Sequence, residues 1–137
     1  MYFFFNELRN ITINHNLVLN PKLITVDFEQ GCINALKNVF PSSLIKGRNF
    51  HFNKCIFTKI TDLGWKEQYY ASAKDDPISI KALYQQTCAL AFIPTSSIDD
   101  IWCNITDAFD NLPGVQVFFD YVTDTWVDND SLYPRKL

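Results

Sequence analysis

The sequence predicts an α/β fold with an α/β front and an all-helical back. Two observations predict it: helical and strand-like segments alternate up to about residue 63, and beyond Gly64 every patterned segment repeats at the helical period. Phe4, Leu8 and Ile11 stand at helical spacing, and residues 14–20 break that pattern before Pro21. Leu23-Ile24-Thr25-Val26 is a β-branched run without polar alternation, which reads as a strand covered on both faces of a parallel or mixed sheet. Asp27 sits at the carboxyl end of that strand. Cys32, Ala35, Leu36 and Val39 then recur at i, i+3, i+4 and i+7, a helix closed by Pro41. Ser43-Leu44-Ile45-Lys46 is a second strand and Gly47 punctuates the chain. The next helix carries Phe52, Ile56, Ile60 and Leu63 on one stripe.

In the helical back, Ile80, Leu83, Tyr84, Thr87, Leu90 and Ala91 keep one period until Pro94. Ser96 and Ser97 precede Asp99 and Asp100, which predicts an N-cap hydroxyl accepting from orphan amides, with acidic residues favouring the positive helix end. Ile98, Ile101, Trp102, Ile105 and Phe109 follow on one face, and Leu112-Pro113-Gly114 ends the helix. From Val115 to Trp126 the pattern fits both periods, and a helix is the reading taken. The three tryptophans, Trp65, Trp102 and Trp126, fall on core-facing stripes or at segment ends and read as packing residues.

At 137 residues, the chain has the size of a single domain, residues 1–137, divided into an α/β part over about 1–63 and a helical part over about 64–137. A content of 47% hydrophobic and 20% charged residues excludes whole-chain disorder. No apolar run approaches the roughly 20 residues that cross a bilayer, and the first residues lack the basic region of a secretory signal, so an intracellular, non-membrane protein is expected. Cys32, Cys55, Cys88 and Cys103 form no close pairs and read mostly as buried free thiols. Charge is uneven. Residues 30–61 contain no acid but carry Lys37, Lys46, Arg48, Lys54 and Lys59, whereas residues 82–134 contain no Lys or Arg and carry 8 aspartates. Such asymmetry lets a polyanion approach one side of the molecule, although each block also fits the solvated face of its helices.

The strongest local chemistry is Val26-Asp27-Phe28-Glu29. A carboxylate at the end of a buried strand is rigidly held, as a ligand for Mg²⁺ must be, and two such metals can activate water and stabilise a leaving oxygen in phosphodiester cleavage. That chemistry needs several converging acids, and on the residues alone Asp27 fits better as a cap for the helix that follows. Glu29 complements the dipole at the same helix start. Basic and aromatic residues mingle over Gly47-Arg48-Asn49-Phe50-His51-Phe52-Asn53-Lys54-Cys55, where Arg48 and Lys54 suit phosphate contacts. His51 and Cys55 share a helix face at i, i+4, but two ligands do not make a zinc site, and His51 reads as a helix-start or packing histidine. The isolated glycines form no phosphate-binding loop.

Ile24-Thr25-Val26-Asp27-Phe28-Glu29-Gln30, then Ala35-Leu36-Lys37-Asn38-Val39-Phe40-Pro41, then Lys46-Gly47-Arg48-Asn49-Phe50-His51-Phe52 resemble, in order and spacing, the central motif block of Mutator-like element (MULE) transposases. Weaker agreement continues through Leu90-Ala91-Phe92-Ile93-Pro94 and Phe119-Asp120-Tyr121 to Thr125-Trp126. The resemblance implies an incomplete ribonuclease-H-like core with two or three strands retained, followed by a helical insertion region. It implies DNA as partner, Mg²⁺ or Mn²⁺ as cofactor, DNA transposition in the nucleus as setting, and Asp27 as the second acid of a DDE triad and a metal ligand. Lys46, Arg48, His51 and Lys54 would be the nucleic-acid-binding residues. The first acid has no counterpart before Asp27, where only Glu7 occurs, and the third has none after Trp126. The cysteine that often accompanies the family's histidine is missing beside Gly47, where Arg48 stands. The chain is therefore expected to be an inactive transposase fragment. The alternative is a non-catalytic DNA-binding or protein-interaction module derived from such a core. A strand left with an open edge, and Phe3 to Phe5 partly uncovered, imply a homo-oligomer or a need for the rest of the same protein.

Overall fold

The computed structural model describes residues 1–27 and 29–130. The described residues form two compact units, Met1–His51 and a second that begins at Phe52.

In the first unit, α1 (Tyr2–Asn14) leads through an extended loop to β1 (Leu23–Val26), α2 (Gln30–Val39) and β2 (Leu44–Gly47). The two strands pair in parallel, with Leu23 opposite Leu44 and Val26 opposite Gly47. A parallel pair needs a crossover, and α2 supplies it. Ile33, Leu36, Val39 and Phe40 are buried along α2 and at its end, together with Val26 and Ile45 from the strands. Leu23 and Leu44, an opposed pair with side chains on the same face, remain half exposed. The sequence predicts a strand covered on both faces. Only Val26 of β1 is buried, because the β-branched run is packed on one side and the other side carries no described layer. β2 is displaced by one residue from the predicted Ser43–Lys46, since Ser43 turns its hydroxyl to the carbonyl of Pro21 and begins the ladder rather than joining it.

Helix α1 ends in a Schellman turn. Asn16, at φ 56°, donates to the carbonyl of Ile13, and Leu17 donates to that of Thr12. Asn16 is one of the few side-chain types that tolerates that left-handed conformation. Arg9 reaches the carbonyl of Val39 at 3.5 Å, tying α1 to the end of α2.

Helix α3 (Asn49–Asp62) takes its first residues from the first unit and continues as the opening helix of the second. It also ends in a Schellman turn: Gly64 at φ 78° donates to Thr61, and Trp65 donates to Ile60. Four α-helices follow among the described residues: α4 (Lys66–Ala71), α5 (Ile80–Ala89), α6 (Ile98–Phe109) and α7 (Val115–Val122), the last running into a π-type turn over Thr123–Val127, with short 3-10 turns between α5 and α6. The helical reading of the ambiguous segment after Gly114 therefore matches the structure. α6 buries Ile98, Trp102, Ile105 and Phe109, one stripe at i, i+4, i+7 and i+11.

The second core is aromatic. Phe109 and Phe118 are fully buried, Trp65 lies 6.1 Å from Phe118, Trp102 lies 5.8 Å from Phe119, and Phe52 lies 4.9 Å from Trp126. All three tryptophans are packed, as their stripes predict. Trp102 also donates from Nε1 to Thr123 Oγ1 at 2.9 Å, which pins α6 to the turn after α7. Two expectations are corrected. The Ser97 side chain makes no capping bond at the start of α6, whereas Ser79 accepts from the Ala82 amide at 3.1 Å and caps α5. Of the four free cysteines only Cys88 is buried; Cys32 and Cys55 are partly covered, and Cys103 on α6 is exposed.

Burial pushes the Cys88 thiol up to about 11, against a lowering by its hydrogen bond with Tyr84, and burial with Cys88 as neighbour pushes the Tyr84 phenol up to about 12. The fold thus holds the Cys88 proton more tightly than the unfolded chain does. Stability from this group is complete below the ordinary thiol value near 8.5 and is lost as pH rises through about 11. We expect the thermal midpoint to fall between pH 9 and pH 11 and the fall to be smaller in Cys88→Ala, measured by circular dichroism; parallel curves for the two proteins would contradict the assignment.

Thr87 is fully buried and its Oγ1 has no hydrogen-bond partner among the described residues. An unpaired buried hydroxyl costs about 1–3 kcal/mol, so the near-isosteric Thr87→Val should raise the urea midpoint. A lowered midpoint would reveal a partner for the hydroxyl.

Candidate nucleic-acid interface

The candidate site lies where the parallel ladder of the first unit ends. Arg48 donates its backbone N–H to the carbonyl of Val26 at 2.9 Å, one step beyond the Val26–Gly47 pair. Register therefore sets Asp27 and Arg48 side by side at the carboxyl ends of two parallel strands. His51 follows one turn later, its backbone N–H donating to the Arg48 carbonyl at 3.0 Å. Asp27 is thus brought to one point with two residues about 20 positions further along the chain.

Their side chains meet there. His51 Nε2 stands 2.8 Å from Asp27 Oδ1, and an Arg48 guanidinium nitrogen stands 3.7 Å from the same oxygen. The Asp27 side chain is 50% exposed and that of Arg48 60%, so this is a solvated cluster rather than a buried ion triad. His51 is more covered and packs edge-on against Phe50 at 5.6 Å. The possibility that Asp27 caps α2 is resolved differently: Glu29 is the N-cap residue, and its own side chain makes no capping bond. Asp27 contributes only its carbonyl, which accepts from the Glu29 amide at 2.7 Å, and its carboxylate turns to Arg48 and His51.

Thr25, Val26, Asp27, Glu29, Cys32 and Arg48 line a cleft of about 270 Å³ beside this cluster. Cys32 and Glu29 belong to it, although periodicity places Cys32 on the packing stripe of α2. The signal that identifies them is their position, at the start of the helix that follows the strand, where parallel α/β units open their crevice. Burial first, then Glu29 and Asp27, raises the Cys32 thiol. A raised thiol stays protonated at neutral pH, which argues against a cysteine nucleophile here.

The remaining sequence-predicted residues are dispersed. Lys46 is exposed and lies opposite Thr25 in the ladder, on the half-exposed face that carries Leu23 and Leu44. Lys54 is exposed on α3 within the second unit. Asp27, Arg48 and His51 are the members brought together.

Among the described residues, no three His, Cys, Asp or Glu side chains converge on a point that a metal could occupy. A divalent pair requires several carboxylates, whereas the described cluster offers Asp27 facing an arginine and a histidine, with Glu29 on the cleft wall. These residues do not by themselves fit a two-metal centre. The cluster can contact phosphate. Arg48 presents a planar fork of donors at the surface, and Asp27, itself in contact with His51, lies beside it. No described helix is long and apolar enough to cross a membrane.

Comparison with protein-family models, with curated proteins and with solved structures finds no match.

Asp27 and Arg48 are half or more in water and the His51 side chain is 28% exposed, so the cluster contributes little to stability. Asp27→Ala should shift the unfolding free energy by less than about 1 kcal/mol in urea titrations. A loss of several kcal/mol would mean that the carboxylate holds the strand ends together.

Proposed function

We propose that this chain is part of a MULE-type transposase core that binds DNA phosphates and does not by itself cut them. The observation that carries the reading is the placement of Asp27 at the carboxyl end of β1, in a β1–α2–β2 unit, with Arg48 and His51 from the next motif beside it. The motif resemblance assigns its catalytic acid to the same strand end. A ribonuclease-H-like sheet, with the first and third acids on further elements, would supply the carboxylates that complete a Mg²⁺ or Mn²⁺ site. A nuclear setting follows from the same reading.

Within this proposal Lys46, Arg48, His51 and Lys54 contact the DNA backbone. The acidic residues between positions 99 and 130 disfavour DNA on their own surface. A second reading, a non-catalytic DNA-binding module derived from such a core, is favoured by one observation: Arg48 and His51 both face Asp27 Oδ1, so the carboxylate is engaged within the cluster. Both readings give phosphate binding, and they separate at Asp27, which matters to the first through metal and to the second through the orientation of Arg48.

Fluorescence anisotropy with a short labelled duplex tests the proposal. Affinity should fall steeply between 50 and 200 mM salt, with a log–log slope of roughly −0.9 per phosphate contacted. Arg48→Ala should weaken binding and reduce that slope by about one. Absent or salt-independent binding would exclude both readings. Mg²⁺ or Mn²⁺ should produce no nicking, and cleavage abolished by Asp27→Ala would show the chain to be catalytic.

A further inference from the structure

The cleft at the end of the ladder holds one charged group that the phosphate contacts do not use. Glu29, the N-cap residue of α2, is exposed on the cleft wall, and among the described residues its carboxylate takes no hydrogen bond or salt bridge. Its charge nevertheless reaches into the cleft, since after burial it is the largest influence raising the Cys32 thiol. Asp27, by contrast, is engaged with Arg48 and His51. Arg48 turns one nitrogen to Asp27 Oδ1 at 3.7 Å and keeps the rest of its five donors for a ligand. The cleft thus offers acceptors on its α2 side and a donor fork on its β2 side. At about 270 Å³ it lies just below the roughly 300–1,000 Å³ of drug-sized pockets, so it admits one small group.

We propose that the cleft takes a guanine nucleotide, with the Watson–Crick edge of the base on Glu29 and its phosphate on Arg48. The anion half of this assignment rests on the phosphate-binding reading above, and the base half stands on Glu29. An ionised carboxylate only accepts, and its two oxygens are matched by two N–H donors side by side. Guanine presents such a pair, N1–H and the 2-amino group. Adenine and cytosine set an amino group beside a ring-nitrogen acceptor, and thymine sets its N3–H between two carbonyl acceptors, so each of them turns a lone pair toward the carboxylate. In a duplex the guanine edge is occupied by cytosine. The cleft therefore reads an unpaired base or a free nucleotide, as bases are read on their Watson–Crick edges in single strands. An arginine of a basic peptide also carries paired donors. It fits less well, because residues 30–61, which include Arg48, contain no acid and carry Lys37, Lys46, Lys54 and Lys59 besides.

Isothermal calorimetry on the full chain at roughly 50 mM salt, where phosphate contacts are strong, tests this with mononucleotides. GMP should bind, and AMP should bind at least about fivefold more weakly, the low end of what a bidentate base contact discriminates. IMP, which keeps N1–H and lacks the 2-amino group, should fall between them. Glu29→Gln, at an exposed position without a capping bond, should keep the far-ultraviolet dichroism spectrum and bring GMP down to the level of AMP. Arg48→Ala should weaken both nucleotides together. Oligothymidine carrying one guanine, compared with oligothymidine alone, separates the two sources: a preference places the base within a strand, and its absence beside a GMP preference assigns the site to the free nucleotide. No GMP binding at roughly 10 mM, equal binding of GMP and AMP, or an unchanged preference in Glu29→Gln would each overturn the proposal. So would free arginine bound more tightly than GMP, which would assign the cleft to a basic peptide. Duplex binding that persists in those cases leaves the phosphate-binding reading in place, so the two fail separately.

Discussion

The arrangement of the candidate site depends on a single backbone hydrogen bond, from the N–H of Arg48 to the carbonyl of Val26. It closes a parallel ladder whose register is set by Leu23 opposite Leu44. Side chains alternate along a strand, so a slip of one residue would turn Ile45 outward and carry Arg48 away from Asp27. Packing of Val26 and Ile45 in the same core as α2 opposes that slip. The apolar core of the first unit and its polar cluster are thus two consequences of one register.

Electrostatics at the strand ends follow from that geometry. Two parallel strands present their ends together, and the chain places an acid on one and a base on the other. The carboxylate is solvated and shared between arginine and histidine. It is neither a desolvated charge with a large energetic weight nor a free ligand. This suits an orienting role of Asp27 toward Arg48. The same description makes the site incomplete for metal chemistry unless further acids join it.

The two units are stabilised in different ways. In the first, one helix and two short strands bury a small aliphatic core, while α1 and the outer sheet face keep large apolar residues in water. In the second, helices enclose Phe109, Phe118, Trp65, Trp102 and Trp126, with edge-to-face contacts between Phe52 and Trp126 and between Trp102 and Phe119, and a tilted one between Trp65 and Phe118. The first unit carries both the polar cluster and most of the uncovered large apolar side chains.

Much of this was legible from local pattern. The period-3.6 stripes of α2, α3, α5 and α6, the β-branched run of β1 and the terminating Gly64 and Gly114 mark elements that the structure contains, because those signals act within a few residues. The position of Asp27 at a strand end was legible in the same way. Its partners were not: the pairing of Asp27 with Arg48 and His51 arises from strand register, which joins residues about 20 positions apart. The rotation of α1 was equally hidden. The stripe of Phe4, Leu8 and Ile11 announces an apolar face, but which face meets α2 was decided by Arg9 reaching Val39, a tertiary contact with no sequence signature. Amphipathicity specifies that a helix must be covered, and only packing specifies by what.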